Sequence, residues 1–272
     1  MQRPLISIIT VVLNSVETIE KTIKSIIGQS FTNYEYIIID GGSNDGTIDI
    51  IRKYSSYISY WISEPDKGIY DAMNKGIAYA KGEYIGILNS DDWYVKNSLS
   101  TIANQIQNNP NIDIIYGNIL RYYSESNIVV ADTNHKKLYK WNSIGHSAAF
   151  VRKECYLKRN YKINYKIGAD YDFFLWCLVN KYTFVKVNEN ISYFTYNGVS
   201  SIPKFSSIFE LYPIWKEHLG FSYTLYHFPY RFIRFFLLYI VSKPLYLFLG
   251  HKNYRTALCI WKECKCRMLQ LK

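Results

Sequence analysis

The strongest constraint on this 272-residue chain is a regular alternation through its first 120 residues. Apolar runs of strand length alternate with segments whose apolar residues recur at helical spacing. Leu5–Leu13 is a β-branched run that reads as a strand buried on both faces. Thr18–Ser30 then sets Ile19, Ile23, Ile26 and Ile27 at helical spacing. Tyr34–Asp40 reads as a strand, Thr47–Tyr54 as a helix with Ile48 and Ile51 on one face, and Tyr60–Ile62 as a short extended piece. Ile69–Ala80 reads as a helix stopped near Gly82, and the strand Tyr84–Leu88 runs directly into Asn89-Ser-Asp-Asp92. Strands alternating with helices in this way imply right-handed crossovers and an α/β fold, a mixed, mainly parallel sheet flanked by helices.

In such sheets ligands bind beyond the carboxyl ends of the strands. The four exits are Thr10–Asn14, Asp40-Gly-Gly-Ser-Asn-Asp-Gly46, Ser63-Glu-Pro-Asp-Lys-Gly68 and Asn89–Asp92; all are polar and three carry acids. In the second exit, glycines permit positive φ and close approach of a ligand. The same residues suit a tight strand–helix connection capped by Asp45 or Thr47. A dinucleotide fingerprint places its glycines after the first strand. Here they follow the second in a different spacing, which argues against a nicotinamide dehydrogenase. In the fourth exit, adjacent carboxylates repel unless a cation lies between them. A divalent ion bridging a diphosphate uses one or two carboxylates among hard oxygen ligands. Asp-Asp is also a good helix start.

Taken in order and spacing, Thr10-Val-Val-Leu-Asn14, Ile39-Asp-Gly-Gly-Ser-Asn-Asp-Gly-Thr47, Glu64-Pro-Asp-Lys-Gly-Ile-Tyr-Asp-Ala-Met-Asn-Lys-Gly76 and Leu88-Asn-Ser-Asp-Asp92 resemble glycosyltransferase family 2. The resemblance covers roughly residues 5–200. It implies a Rossmann-like GT-A fold, a nucleotide-diphosphate sugar donor such as a UDP-sugar, a divalent Mn or Mg ion and inversion at the anomeric carbon. It would set Thr10, Val12 and Asn14 beside the nucleotide and have Asp40 read the base edge, with Gly42 in the same loop. Asp66, Lys67 and Asp71 would line the donor pocket together with Asn89, Ser90 and Asp91. Asp91 and Asp92 match the end of the metal-binding element, with Asp92 as the direct ligand; Asn89 stands where many members carry a further Asp.

The resemblance continues through Ile144-Gly-His-Ser-Ala-Ala-Phe150, which would bring His146 to the acceptor cleft, and Gly168-Ala-Asp-Tyr-Asp172. There Asp170 would be the catalytic base and Asp172 an acceptor contact, with Ala169 in place of the family's Glu. Asn197-Gly-Val-Ser200 resembles a loop that closes the domain. Inversion by direct displacement needs one carboxylate to take the acceptor proton. It also needs positive charge on the departing diphosphate. A glycosidase would instead need two carboxyls flanking the bond, and no such pair is identified. Plainer roles stand beside these: His146 as a satisfied buried histidine, Asp170 as a helix cap, Glu64 and Asp66 as solvation of a proline turn, and Trp93 as core. A nucleotide-sugar-binding protein without turnover is the alternative function. A nucleotidyltransferase is disfavoured, because Val12-Leu-Asn-Ser15 lacks the phosphate-loop glycines.

From 110 to 200 the pattern loosens. Ile112–Tyr116, Asn118–Tyr122 and Ile128–Ala131 read as strands with an antiparallel hairpin. Ala149–Leu157 and Asp170–Val179 read as helices, and Phe184–Val187 and Ile191–Tyr196 as closing strands. The net charge of +10 is uneven: residues 1–200 carry 21 basic and 19 acidic side chains, whereas residues 201–272 carry 11 and 3. The chain therefore divides into a GT-A domain over 1–200 and a basic, aromatic helical extension over 201–272. Within 221–250, Phe, Tyr and Leu interleave with Arg231, Arg234 and Lys243, which suits a helix lying in a membrane interface. The other reading of the tail is a cap on the body or on another subunit of a homo-oligomer; nucleic acid is not expected, for want of a binding motif.

No uncharged stretch spans a bilayer, the opening run lacks a signal-peptide cleavage site, and five cysteines without a Cys-x-x-Cys suit a reducing compartment. The expectation is a cytoplasmic enzyme, peripheral on the inner face of the membrane. Its acceptor would be a glycan or lipid-linked glycan in the assembly of a surface polysaccharide such as capsule or O-antigen.

Overall fold

The computed structural model describes residues 3–195, 205–233 and 235–237. By its internal contacts the chain divides into two units, Met1–Ile202 and Pro203–Lys272.

The first unit opens with β1 (Ile6–Val12), α1 (Ile19–Ile27), β2 (Tyr34–Asp40), α2 (Thr47–Lys53), β3 (Tyr60–Ser63), α3 (Ile69–Tyr79) and β4 (Tyr84–Asn89). It continues with β5 (Trp93–Tyr94), α4 (Ser98–Asn108), β6 (Ile114–Ser124), β7 (Asn127–Ala131), β8 (Ala149–Arg152), α5 (Lys153–Lys158), α6 (Ala169–Val179) and β9 (Phe184–Thr195). Among the described residues these strands form one nine-stranded sheet in the order β3-β2-β1-β4-β8-β6-β9-β5, with β7 paired to β6. The strands β3, β2, β1 and β4 are parallel, as the alternation predicts; β8 then runs antiparallel to both β4 and β6.

Every residue of β1 is buried, which explains its unbroken β-branched run. On one face, Ile6 and Ile8 join Tyr36, Ile38 and the α1 residues Ile19, Ile23 and Ile26 in a single cluster. On the other, α3 lies close because Gly76 has no side chain: a Cβ there would meet Ile9 Cγ2 at 2.4 Å. The register pairs Val12 with Asp40, Asp40 with Ser63 and Val11 with Asn89, so the four exits open along one edge.

Three expectations are corrected beyond β4. Ala149–Leu157 is not one helix: Ala149–Arg152 is strand β8, and only Lys153–Lys158 is helical. Its Ala149, Phe150 and Val151 are buried, and Phe150 and Val151 pair on both sides, a tertiary demand that outweighs local pattern. The separate strands expected over Ile112–Tyr116 and Asn118–Tyr122 are one strand, β6, with a register shift against β9 around Gly117. Gly117 admits that close approach, since a Cβ would meet Ile191 Cγ1 at 2.4 Å and the Glu189 carbonyl at 2.8 Å. Likewise β9 is continuous from Phe184 to Thr195.

In the second unit, α7 (Phe205–Leu219) ends at Gly220, which takes φ 87°, and a second helical run covers 221–233. The two pack through aromatic pairs, with ring centroids 6.0 Å apart for Phe209–Phe232, 5.3 Å for Tyr212–Phe228 and 5.8 Å for Trp215–Tyr223. No helix among the described residues is long and apolar enough to cross a membrane. Lys243 and most of the basic tail lie outside the described residues, as does Asn197–Ser200.

Candidate active site

The fourth exit is a turn braced by hydroxyls from three other segments. Ser15 Oγ and Ser90 Oγ lie 2.9 Å apart and join the first exit to the fourth. The Thr22 hydroxyl, on α1, lies 2.7 Å from the Asp92 carbonyl and 2.9 Å from that of Ser90. At the end of β9, the Thr195 hydroxyl donates to the Asp91 carbonyl at 2.5 Å and the Thr195 amide to Asp92 Oδ1 at 2.9 Å. Asp92 is wholly buried, whereas Asp91 is half-buried. Burial, with the neighbouring Asp91 charge adding to it, pushes the Asp92 carboxyl well above the usual range. Burial also raises Asp91.

Asn89 Oδ1 and Asp92 Oδ2 are buried without hydrogen-bond partners among the described residues. Two desolvated carboxylates and an unpartnered amide oxygen form a hard donor set, which fits a divalent cation such as Mg or Mn. Of the two acids, Asp91 is the one that reaches toward solvent.

At the second exit, Asp40 is fully buried and builds the loop. Its Oδ2 accepts from the Gly42 amide at 3.1 Å, the Ser43 amide at 2.9 Å and the Ser63 hydroxyl at 2.6 Å. Its Oδ1 accepts from Ser43 Oγ at 2.5 Å. Gly42 takes φ 91°, and Gly41 leaves room for Asp66: a Cβ on Gly41 would lie 2.5 Å from Asp66 Oδ2. Asp66 Oδ1 in turn accepts from the Gly68 amide at 2.8 Å, and Asp71 Oδ2 from the Lys67 amide at 3.0 Å. The Lys67 side chain is exposed.

At the first exit, Thr10 and Val12 are buried within β1, and Thr10 Oγ1 accepts from Tyr36 OH at 3.1 Å. Asn14 reaches the surface with φ 47°, and its Oδ1 accepts from the Asn44 amide at 3.0 Å. Asn14, Ser15, Val16, Glu17, Thr18 and Asp45 line an open cleft of about 300 Å³ next to the Ser15–Ser90 contact.

Asp170 lies at the start of α6 with only 7% exposure. Its Oδ1 accepts from the Tyr171 amide at 2.8 Å and lies 3.4 Å from Tyr70 OH. Its Oδ2 accepts from Asn142 Nδ2 at 3.0 Å and lies 3.4 Å from His146 Nδ1. His146 Nε2 is buried without a partner among the described residues. The helix-cap reading of Asp170 is incomplete, since side chains from three other segments converge on it.

Asp172 sits apart from this group. It is 1% exposed, with Arg159 Nη2 at 2.8 Å and Lys162 Nζ at 3.7 Å, and so anchors the segment before α6. Trp93, half-buried, stacks on Tyr193 with centroids 4.9 Å apart and carries Lys21 Nζ 3.1 Å from its ring centre. The sequence reading does not single out Thr22, Thr195 or Asn142. A lone Thr or Asn far along the chain carries no local signal of the bond it makes.

Residues 7–172 match the profile described as "Glycosyl transferase family 2". A relative from Mycobacterium bovis, a PGL/p-HBAD biosynthesis glycosyltransferase, is 30% identical over 211 residues, covering 74% of this chain and 81% of that one. Among solved structures, Staphylococcus aureus TarS superposes with a TM-score of 0.65 at 18% identity; the match covers 78% of this chain but 39% of TarS. Residues 1–349 of TarS in complex with UDP-GlcNAc give a TM-score of 0.64 at 18% identity, covering 78% of this chain and 67% of that one. The mannosyltransferase PcManGT of Pyrobaculum calidifontis, in complex with GDP-Man and Mn2+, matches with a TM-score of 0.60 at 14% identity over 100% of this chain and 81% of its own. At these identities the structural likenesses establish a shared fold, that of GT-A glycosyltransferases.

Proposed function

Because the chain belongs to glycosyl transferase family 2, we propose that it is an inverting glycosyltransferase that moves one hexosyl or N-acetylhexosaminyl group from a nucleotide-diphosphate sugar to an acceptor hydroxyl. The carrying observation is the enclosed Asp170 carboxylate, which the Tyr171 amide, Asn142 Nδ2 and His146 Nδ1 surround. A base, together with the acid turn at Asp91 and Asp92 to meet a diphosphate, supplies the two parts a single displacement needs.

In this reading the acceptor O–H passes its proton to Asp170 as its oxygen attacks the anomeric carbon opposite the departing diphosphate, which inverts the configuration. Asp91, with Asp92 behind it, would hold a divalent Mg or Mn ion, which when bound neutralises charge on the departing diphosphate. The cleft beside Asn14 and Ser15 would take the nucleotide, on a floor built by Asp40, Gly42 and Asp66. Ser90, Asn89, Lys67 and Asp71 would border the diphosphate and sugar. UDP-GlcNAc and GDP-Man in the neighbouring structures support a sugar-nucleotide donor.

The acceptor in this reading is a lipid-linked glycan of surface polysaccharide assembly, met on the inner face of the cytoplasmic membrane. Support comes from the second unit, where the helical run 221–233 exposes Phe221, Leu225, Tyr226, Tyr230 and Ile233.

The test is release of nucleoside diphosphate by the full chain with Mn2+ from UDP-glucose, UDP-N-acetylglucosamine or GDP-mannose. The parent turns over at least one donor, and Asp170→Asn abolishes it. Turnover that survives in Asp170→Asn removes Asp170 from its role. Donor binding without turnover in the parent would favour the sugar-nucleotide-binding alternative.

A further inference from the structure

Asn142 is an exposed residue whose amide nitrogen donates 3.0 Å to Asp170 Oδ2. A carboxylate oxygen only accepts, so the nitrogen and not the oxygen of the amide must face it. The segment carrying Asn142 is itself pinned. The buried Tyr171, next to Asp170, donates its hydroxyl to the Leu138 carbonyl at 2.8 Å. The Asn134 amide donates to the Ser143 carbonyl at 3.1 Å, and Ser143 Oγ donates to the Asn134 carbonyl at 2.7 Å. The donor is therefore fixed to the same helix start as the acid it meets.

The other side chains around Asp170 lie farther from it. Tyr70 OH is 3.4 Å from Oδ1 but 2.5 Å from the Ile167 carbonyl, which takes its single proton. The Tyr171 amide holds Oδ1, and His146 Nδ1 lies at 3.4 Å from Oδ2. Asn142 is thus the close side-chain donor to Oδ2. With Oδ1 held by a backbone amide and Oδ2 by Asn142, the carboxylate is fixed in rotation about its Cβ–Cγ bond.

We propose that Asn142 is a positioning residue for transfer, orienting the Asp170 carboxylate so that a fixed lone pair of one oxygen meets the acceptor hydroxyl. This rests on the reading of Asp170 as the base. Fixing a reacting group in a productive orientation acts on the chemical step and leaves ground-state donor binding unchanged. Asn142 supplies a neutral donor to an ionised acceptor, so its role is one of charge and direction and not of volume.

The experiment uses the full chain with Mn2+ and whichever of UDP-glucose, UDP-N-acetylglucosamine and GDP-mannose releases its nucleoside diphosphate fastest. Asn142→Ala is expected to lower kcat by about 10- to 100-fold, the scale of one hydrogen bond to a charged group, with donor KM within about twofold of the parent. Asn142→Asp keeps the shape but sets a carboxylate against a carboxylate, and is expected to lose at least as much. A kcat within about twofold in Asn142→Ala, or an Asn142→Asp variant milder than Asn142→Ala, overturns the proposal. Asp170→Asn is run beside them. If it retains turnover, the base reading fails and the positioning role with it; if it alone is inactive while Asn142→Ala is unaffected, only the positioning role fails.

Discussion

The backbone amide of Thr195 donates to Asp92 Oδ1 at 2.9 Å, tying the end of β9 to the acid turn 103 residues earlier. That bond gives Asp92 a structural duty that its neighbour Asp91 lacks.

Asp92→Asn keeps an oxygen for the Thr195 amide and removes a buried charge. Because burial raises the native carboxyl above its ordinary value of 3.8, the native state binds this proton more tightly than the unfolded chain. Its stabilising contribution is complete below about pH 3.8 and is lost as pH rises through the native value. Without metal, Asp92→Asn is therefore expected to be more stable than the parent at pH 7, with the gap closing toward pH 4. Urea denaturation at both pH values reads this, and a gap that widens in acid refutes it. Mn2+ is expected to raise the melting temperature of the parent and not that of Asp91→Asn; an equal rise in both would remove Asp91 as a ligand.

The Arg159–Asp172 pair is a buried ion pair, and its role is expected to appear in stability. Arg159→Ala leaves a carboxylate of 1% exposure short of its 2.8 Å partner. Lys162 Nζ stays 3.7 Å from the other carboxylate oxygen, so the expected loss is about 1.5–3 kcal/mol, that of one hydrogen bond to a charged group, measured as a shift in the denaturation midpoint at constant slope. A shift below about 1 kcal/mol would free Asp172 for the acceptor contact that the family resemblance implies.

For the helical run 221–233, the expected outcome is co-sedimentation of the full chain with anionic liposomes. Tyr226 is 80% exposed and Leu225 60%, so Leu225→Asp with Tyr226→Asp should weaken that binding without changing the melting temperature. Deleting 221–272 should remove it. Unchanged sedimentation of both variants sinks the membrane reading and turns attention to an oligomer, which sedimentation velocity would detect.

Cys155 and Cys177 are buried and carry free thiols, and burial pushes that of Cys155 up to about 12. Neither should be alkylated by iodoacetamide in the native protein at pH 8, and both should react in denaturant. Mass spectrometry of labelled peptides checks this; rapid native labelling of Cys155 would mean that its surroundings open.

Much of the parallel edge and of the candidate site's setting was legible in the chain because these parts are local. The period of Leu5–Leu13, the glycines of the second exit and the adjacent acids at 91 and 92 report a strand, a sharp loop and a charge problem within a few residues of themselves. They place the parallel edge and its exits without knowledge of distant partners.

What only the tertiary structure decided is which side of each local feature faces inward. Ala149–Arg152 became a strand because two strands needed a partner between them. Asp40 bonds its own loop, and burial separates the two acids of the fourth exit, with a threonine from β9 bonded to the deeper one. The donors that complete Asp170 come from Tyr171 beside it and from Asn142, 28 positions away. Periodicity carries the repeat of a strand or helix, which is set by neighbours in the chain. Burial and hydrogen-bond partnership are set by neighbours in space, and these appear only when the sheet has closed.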